Sequence, residues 1–411
     1  MRQRLPIAGT PWPELAAQMQ DMGKKDVDWR RGRAAVYVFD PGADVLAVQR
    51  EAYTMYMSEN GLGPRAFPSL AAMERAVIDF GLDLLNAPDG ADGSMTSGGS
   101  ESIFLAVKAA RDHASALGHD MWQGEIVVPF SAHPAFDKAA HVMGLKIIRV
   151  ALGPDLMPDL AAMTAAIGPK TFMMVGSAPC FPYGLIEPIA AMGRIAQTHG
   201  LWLHVDSCVG GYFAPFAAMN GVDLPPFDFR VDGVMSMSAD LHKFGYAAKG
   251  ASTVLYRSAE LKNFQVFRNS DWPNGMMETP TLAGTRPGGS IASAYAVMNY
   301  LGIAGYRARA EQVVATRQKM EEGVRRLGFV VRGAPQLMIF TFGADDVDPL
   351  AVGEGLFARG WFSGRTQQPK GIHMMLSPGH QAIADEWLSA LAEARQDAQT
   401  GGRSASTVRY S

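Results

Sequence analysis

Residues 171–206 read "TFMMVGSAPCFPYGLIEPIAAMGRIAQTHGLWLHVD", in which two short apolar runs, "TFMMVGS" and "LWLHVD", bracket a segment, 188–199, that reads as a helix. Short apolar strands separated by helices of about 10 to 15 residues form parallel sheets covered on both faces. The same rhythm extends upstream: a helix over 101–117, a strand in "EIVVPF", a helix across "PAFDKAAHVMG" and a strand in "KIIRVAL". The spacing therefore predicts an α/β class with a mostly parallel sheet. Downstream, "GTRPGGSIASAYAVMNYLG" leads into a long helical region ending near Arg326. Beyond it, strands in "FVVRG", "LMIFTFG" and "IHMML" alternate with helices over 349–359 and 380–396. Four parts are expected: an N-terminal segment 1–60, a large domain 61–325, a smaller C-terminal α+β domain 326–398, and a mobile polar tail 399–411.

A chain of 411 residues can bury one large core or two linked ones. Charged residues are 19%, hydrophobic ones 48% and the net charge is -3, a composition that fits a globular protein and not a disordered or polyanion-binding one. The two cysteines, Cys180 and Cys208, show no C-x-x-C spacing, which argues against a zinc site or a disulfide framework and for a reducing compartment. The start, "MRQRLPIAGTPWPELAAQM", lacks the apolar core of a signal peptide, and no run reaches the roughly 18 apolar residues that a spanning helix needs. A soluble cytoplasmic protein without a nucleic-acid partner is expected.

Chemistry concentrates in a few segments. In "MTSGGSES" (95–102) glycines and hydroxyl residues lead into a helix, whose unpaired N-terminal amides and dipole favour a phosphate. The alternative is a glycine turn with Ser97 or Ser100 as N-cap. In "LWLHVDSCVGG" (201–211) strand alternation sends His204 and Asp206 to one face, with Asp206 near the carboxyl end where open α/β sheets bind ligands. A buried aspartate needs a cation or hydrogen-bond donors; with no third ligand evident, a protonated heterocyclic nitrogen suits it better than a metal. In "SADLHKFGYAAKG" (238–250) an apolar setting with neighbouring cations is expected to lower the pKa of Lys243, freeing an amine that can attack an aldehyde; a lone lysine would more often be a solvated loop residue. Phosphate cradle, aspartate and lysine together match the phosphate, ring nitrogen and aldehyde of pyridoxal 5'-phosphate (PLP). His133, after "EIVVPF", could stack on a flat ring or simply cap the helix that follows Pro134.

With these residues in hand, the sequence resembles the group II PLP-dependent decarboxylases of fold type I, most of all their sphingosine-1-phosphate lyase branch, over about residues 28–395. The stretches that carry the resemblance are "TSGGSESIFLAVKAARD", "SAHPAFDKAAHVMGLKI", "HVDSCVGG", "SADLHKFGYAAKG" and "GTRPGGSIASAYAVMNYLG". It implies a fold type I, transferase-like large domain and a homodimer with shared active sites. It further implies that Lys243 is the Schiff-base lysine, Asp206 pairs with the ring nitrogen and His133 stacks on the ring. Gly98, Gly99, Ser100 and His242 would hold the phosphate, with Gly288 and Gly289 reaching it from the neighbouring subunit. Lys249 would bind substrate or move protons, and Tyr37 and Asn60 would lie near the substrate's polar end. Two positions depart from the lyases: Gly63 in "NGLGPRAFPS" and Tyr183 in "APCFPYG" each stand where those enzymes place a histidine. The long N-terminal segment and membrane anchor of eukaryotic lyases are expected to be missing.

The implied reaction is retro-aldol cleavage of a phosphorylated long-chain amino alcohol to an aldehyde and phosphoethanolamine. An amino-acid decarboxylase is the alternative, with Arg65 as the cation for a substrate carboxylate. A catalytically silent PLP-fold subunit is the third reading, disfavoured because such a protein has no chemical reason to keep Lys243, Asp206 and His133 together.

Overall fold

The computed structural model describes Arg2 and residues 4–401, so the expected tail from 402 onward lies outside the described residues. The main sheet is built from β1 (Asp92–Thr96), β2 (Glu125–Pro129), β3 (Lys146–Val150), β4 (Thr171–Ser177), β5 (Trp202–Asp206), β6 (Val234–Ala239) and β7 (Ser252–Tyr256), in the order β1-β7-β6-β5-β4-β2-β3. Strands β6, β5, β4, β2 and β3 run parallel, while β7 is antiparallel to both its neighbours. All of β4 and β5 is buried, as a sheet covered on both faces requires. Period-two alternation divides the core: Met174, Leu203 and Val205 join one cluster, whereas Met173, Val175 and Trp202 join another with Ile103, Leu105 and Phe136.

The helices are α1 (Trp12–Gly23), α2 (Ala43–Met55), α3 (Pro68–Leu84), α4 (Gly99–Ala116), α5 (Ala135–Met143), α6 (Leu160–Ala165), α7 (Ile189–His199), α8 (Ala214–Met219), α9 (Ala259–Asn263), α10 (Gly288–Arg326), α11 (Pro349–Ala358) and α12 (Ala384–Gln399). Helix α10 starts inside the glycine-rich motif rather than after it and is broken at Gly302, where φ is 52° and ψ -176°. Between α9 and α10 an exposed hairpin pairs β8 (Phe267–Asn269) with β9 (Met277–Thr279).

A second, antiparallel sheet has the order β10-β11-β13-β12, from β10 (Val330–Val331), β11 (Ile339–Gly343), β12 (Gly364–Gln367) and β13 (Lys370–Met375). Strand β12 is absent from the sequence reading, because "GRTQ" carries no apolar alternation and is held by pairing with β13. The N-terminal segment also does more than precede the sheet: Ala35 N–H donates to Phe362 O at 2.8 Å and Met375 N–H donates to Ala35 O at 2.8 Å. That seam places Tyr37 beside the second sheet.

Candidate active site

The chain turns from β1 into α4 through Ser97 and Gly98, and no side chain caps the helix, so neither Ser97 nor Ser100 is the N-cap. Packing requires glycine at 99: a Cβ there would lie 2.7 Å from Cys208 Sγ and 2.9 Å from the Asp240 carboxylate oxygens. Glu101, unrecognised in the sequence, fixes this turn. Its Oε2 accepts from Ser97 N–H at 2.7 Å and Ser97 Oγ–H at 2.6 Å, and its Oε1 accepts from the Leu282 and Ala283 amides at 2.9 and 3.3 Å. One buried carboxylate thus joins the α4 entry to the segment that leads into α10.

Asp206 closes β5, and its Oδ1 accepts from Cys208 N–H at 3.0 Å and from Ser238 Oγ–H at 3.4 Å. As expected from alternation, His204 shares that face, with Nδ1 2.8 Å from Ser236 Oγ and Nε2 3.2 Å from Ser238 Oγ. Burial pushes the His204 imidazole down to about 4, so it stays neutral and Ser238 links it to Asp206.

At the end of β6 the structure corrects one expectation. Lys243 Nζ lies 2.9 Å from Oδ2 of Asp240, which is buried and also accepts from Ser252 Oγ–H at 2.6 Å. Burial alone would lower the lysine's pKa, but the Asp240 carboxylate outweighs it and the pKa is raised. Burial opposes the Asp240 anion too, yet Lys243 and His242 hold its pKa below the usual carboxylate range. A buried ammonium requires a counter-charge, and the carboxylate three residues upstream supplies one that outweighs the neighbouring cations. His242 Nε2 lies 3.7 Å from Asp240, and its Nδ1 accepts from Ala251 N–H at 3.3 Å.

His133 makes the expected helix-entry bond and also faces the cavity. Its Nδ1 accepts from Ala135 N–H at 3.1 Å, the helix-entry bond, and its ring lines the same cavity as Asp206 and Lys243. Burial lowers its pKa, with Lys243 adding to the effect and Asp206 opposing it. Behind it, Glu187 accepts from Ser131 Oγ–H at 2.5 Å and Ser177 N–H at 2.7 Å, tying the His133 loop to the end of β4. Glu187 is 1% exposed, and burial pushes its carboxyl up to about 7. An unfolded glutamate titrates near about 4.3, so between there and about 7 the folded chain holds a proton that the unfolded chain has lost. This contribution to stability is complete at low pH and is lost as pH rises through the folded pKa. Glu187→Gln keeps an oxygen to accept from Ser177 N–H and offers an N–H to Ser131 Oγ, which then accepts instead of donating; its melting temperature should gain on wild type when measured from about pH 5 to about pH 9. A difference that does not vary with pH would contradict the shift.

Lys249 is exposed and does not line the cavity of Lys243; its Nζ donates to Tyr37 O at 3.0 Å and His242 O at 3.4 Å above the Phe39 ring. Burial of that ammonium, with Lys243 nearby, lowers its pKa to about 8. Tyr37 has a φ of 68°, a left-handed conformation costly for a residue with a Cβ, and it is this bend that presents the carbonyl to Lys249. Asn60 is spent within the chain: its Oδ1 accepts from Leu62 and Arg286 amides at 2.9 and 3.2 Å. Gly288 and Gly289 have a packing reason of their own, since a Cβ would lie 2.6 Å from Tyr56 O and 2.8 Å from Tyr53 O respectively. Neither glycine lines the cavity of Lys243. Gly63 sits in an open turn, Arg65 is exposed, and Tyr183 is buried with its hydroxyl donating to Gln368 O.

Ser97, Gly98, Gly99, Ser100, His133, Phe181, Asp206, Asp240, His242 and Lys243 converge on a cavity of about 410 Å³. The donor set fits PLP: a glycine-lined helix entry for the phosphate, a carboxylate anchored by two hydrogen bonds for a protonated ring nitrogen, and a primary amine for the aldehyde. Residues 1–332 match the family described as the pyridoxal-dependent decarboxylase conserved domain. The chain belongs to this family. It is a PLP-dependent lyase, and within the family it is 36% identical to a sphingosine-1-phosphate lyase of Oryza sativa subsp. japonica over 400 residues, 95% of this chain and 74% of that protein. The solved sphingosine-1-phosphate lyase of Burkholderia pseudomallei superposes with a TM-score of 0.93 at 34% identity, over 97% of this chain and 94% of that one. A glutamate decarboxylase of Lactobacillus brevis has a TM-score of 0.84 over 98% and 97% of the two chains, but at 18% identity it shares the fold alone. Among the described residues no helix is long and apolar enough to cross a membrane.

Proposed function

We propose that the chain cleaves a phosphorylated long-chain amino alcohol between the carbon bearing the amine and the carbon bearing the hydroxyl, giving a long-chain aldehyde and phosphoethanolamine. PLP, when bound, supplies an electron sink for the pair left by the breaking bond. Lys243 anchors the cofactor; Asp206 holds the proton on the ring nitrogen; His133 flanks the ring; Gly98, Gly99, Ser100 and His242 take the phosphate. The observation that carries the retro-aldol reading is the similarity to sphingosine-1-phosphate lyases along nearly the whole chain; Lys249, close enough to Lys243 for burial and that charge to lower its pKa to about 8, is the candidate base. Retro-aldol cleavage needs a base to take the hydroxyl proton, so that the O–H pair becomes the carbonyl bond as the carbon–carbon bond breaks; loss of carbon dioxide from a carboxylate needs none. Arg65, the cation named for a decarboxylase, is exposed and lies outside the cavity lining, and Lys249 lies outside that lining too, so the decarboxylase alternative is weakened by the weaker similarity to decarboxylases and not by either side chain.

Tyr37 is assigned to the polar end of the substrate, whereas Asn60, committed to Leu62 and Arg286, positions the loop ahead of α10 instead of touching substrate. The working unit is read as a cytoplasmic homodimer of chains with a large domain 61–325 and a small one 326–398, in which Gly288 and Gly289 approach the second copy's phosphate site. Helix α1 supports a dimer, because Trp12, Leu15, Met19 and Met22 recur at helical spacing and all are exposed. The test is the pH dependence of aldehyde release from a sphingoid 1-phosphate. kcat/KM should rise through about pH 8, and Lys249→Met should lose that limb together with about 10²–10⁴ of the rate. A wild-type profile without a limb near that pH would remove Lys249 as the base.

A further inference from the structure

We propose that a second cavity, sharing His133 and Phe181 with the cavity of Lys243, receives the hydrocarbon chain of the substrate; the proposal rests on the lyase reading above. This cavity, about 580 Å³, adjoins the PLP site, and His133 and Phe181 line both. Rings lead from one to the other: Phe181 stands 6.5 Å from His133 with the planes at 90°, and 4.5 Å from His373 with the planes at 36°. Phe130, Pro134, Pro182 and Tyr183 continue the wall, and Phe130 is 46% exposed at its outer rim.

The charged groups around this cavity already have partners. Arg149 pairs with Asp137 and donates to Pro129, Phe130 and Ala132 carbonyls at 3.2, 3.1 and 3.0 Å. Arg365 pairs with Glu354. His373 is 1% exposed with its Nε2 enclosed in protein, and burial pushes its pKa down to about 4, so it adds no charge. Ser131, Thr366, Gln367 and Gln368 also line the cavity, but rings, prolines and paired charges make up the rest of the wall, which rewards removal of hydrocarbon from water. Tyr183 gives the departure from histidine a use: a larger, less polar ring forms part of the wall, and its hydroxyl ties the β12–β13 turn over the cavity through Gln368 O.

The test is kcat/KM for a series of 2-amino-3-hydroxyalkyl 1-phosphates of stepwise shorter chain, using the PLP-loaded full chain. Wild type should gain about fourfold per added methylene until the chain fills the cavity. A charge at the rim, Phe130→Asp, should cut that gain to below about twofold. Gln367→Glu, at an exposed position lining the same cavity, should act in the same sense and guards against a folding defect peculiar to one variant. Phe357→Asp, on exposed surface outside both cavities, should keep the wild-type gain. If cleavage proceeds with no dependence on chain length, or the dependence survives both rim charges, the chain lies elsewhere and this proposal is overturned while the lyase reading stands. No cleavage at any length would instead sink the lyase reading beneath it.

Discussion

Lys243→Ala should reduce kcat/KM at least about a thousandfold and abolish the visible absorbance that a lysine-bound cofactor gives. The same substitution should also weaken the fold, for a reason separate from catalysis. Asp240 is buried, and its carboxylate faces Lys243 Nζ at 2.9 Å and His242 Nε2 at 3.7 Å. Removing the ammonium leaves that charge with Ser252 and a histidine whose pKa burial already lowers. Stripping one partner from a buried pair costs on the order of 3 kcal/mol. Asp240→Asn combined with Lys243→Ala should therefore recover melting temperature without recovering any activity. A double variant no more stable than Lys243→Ala alone would show that the ion pair does not hold the loop.

Asp206→Asn should lower kcat by about two to three orders of magnitude with little change in KM, since a neutral amide cannot hold a proton on the ring nitrogen when the bond breaks. Its carbonyl oxygen can still accept from Cys208 N–H and Ser238 Oγ–H, so the β5 terminus should survive and the melting temperature should stay close to wild type. Ser238→Ala is the milder companion: it severs the link to His204 but leaves the carboxylate, and should cost far less than Asp206→Asn. Equal losses in the two variants would mean that orientation, not charge, is what Asp206 supplies.

The parallel sheet was legible because β2, β4 and β5 are continuous apolar runs with helices between them, and burial on both faces forces that composition. Asp206 was legible for a related reason: a carboxylate ending such a run is conspicuous. Strand β12 was not, since its four residues carry no pattern and owe their conformation to β13. The same holds for Glu101, whose partners Leu282 and Ala283 lie far along the chain, and for Glu187, whose partner Ser131 is distant in sequence. A single glutamate in a helix or loop looks like a solvated surface charge until the fold encloses it. Asp240 differs, because it sat within the stretch that drew attention to Lys243, and the need to neutralise a buried ammonium would have singled it out.

The most direct measurement is mass spectrometry of the products after the PLP-loaded protein is incubated with a sphingoid 1-phosphate, with Lys243→Ala alongside. Phosphoethanolamine and a long-chain aldehyde should appear in equal amounts, both dependent on Lys243. Intact sphingoid phosphate, together with Lys243-dependent release of carbon dioxide from an amino acid, would contradict it.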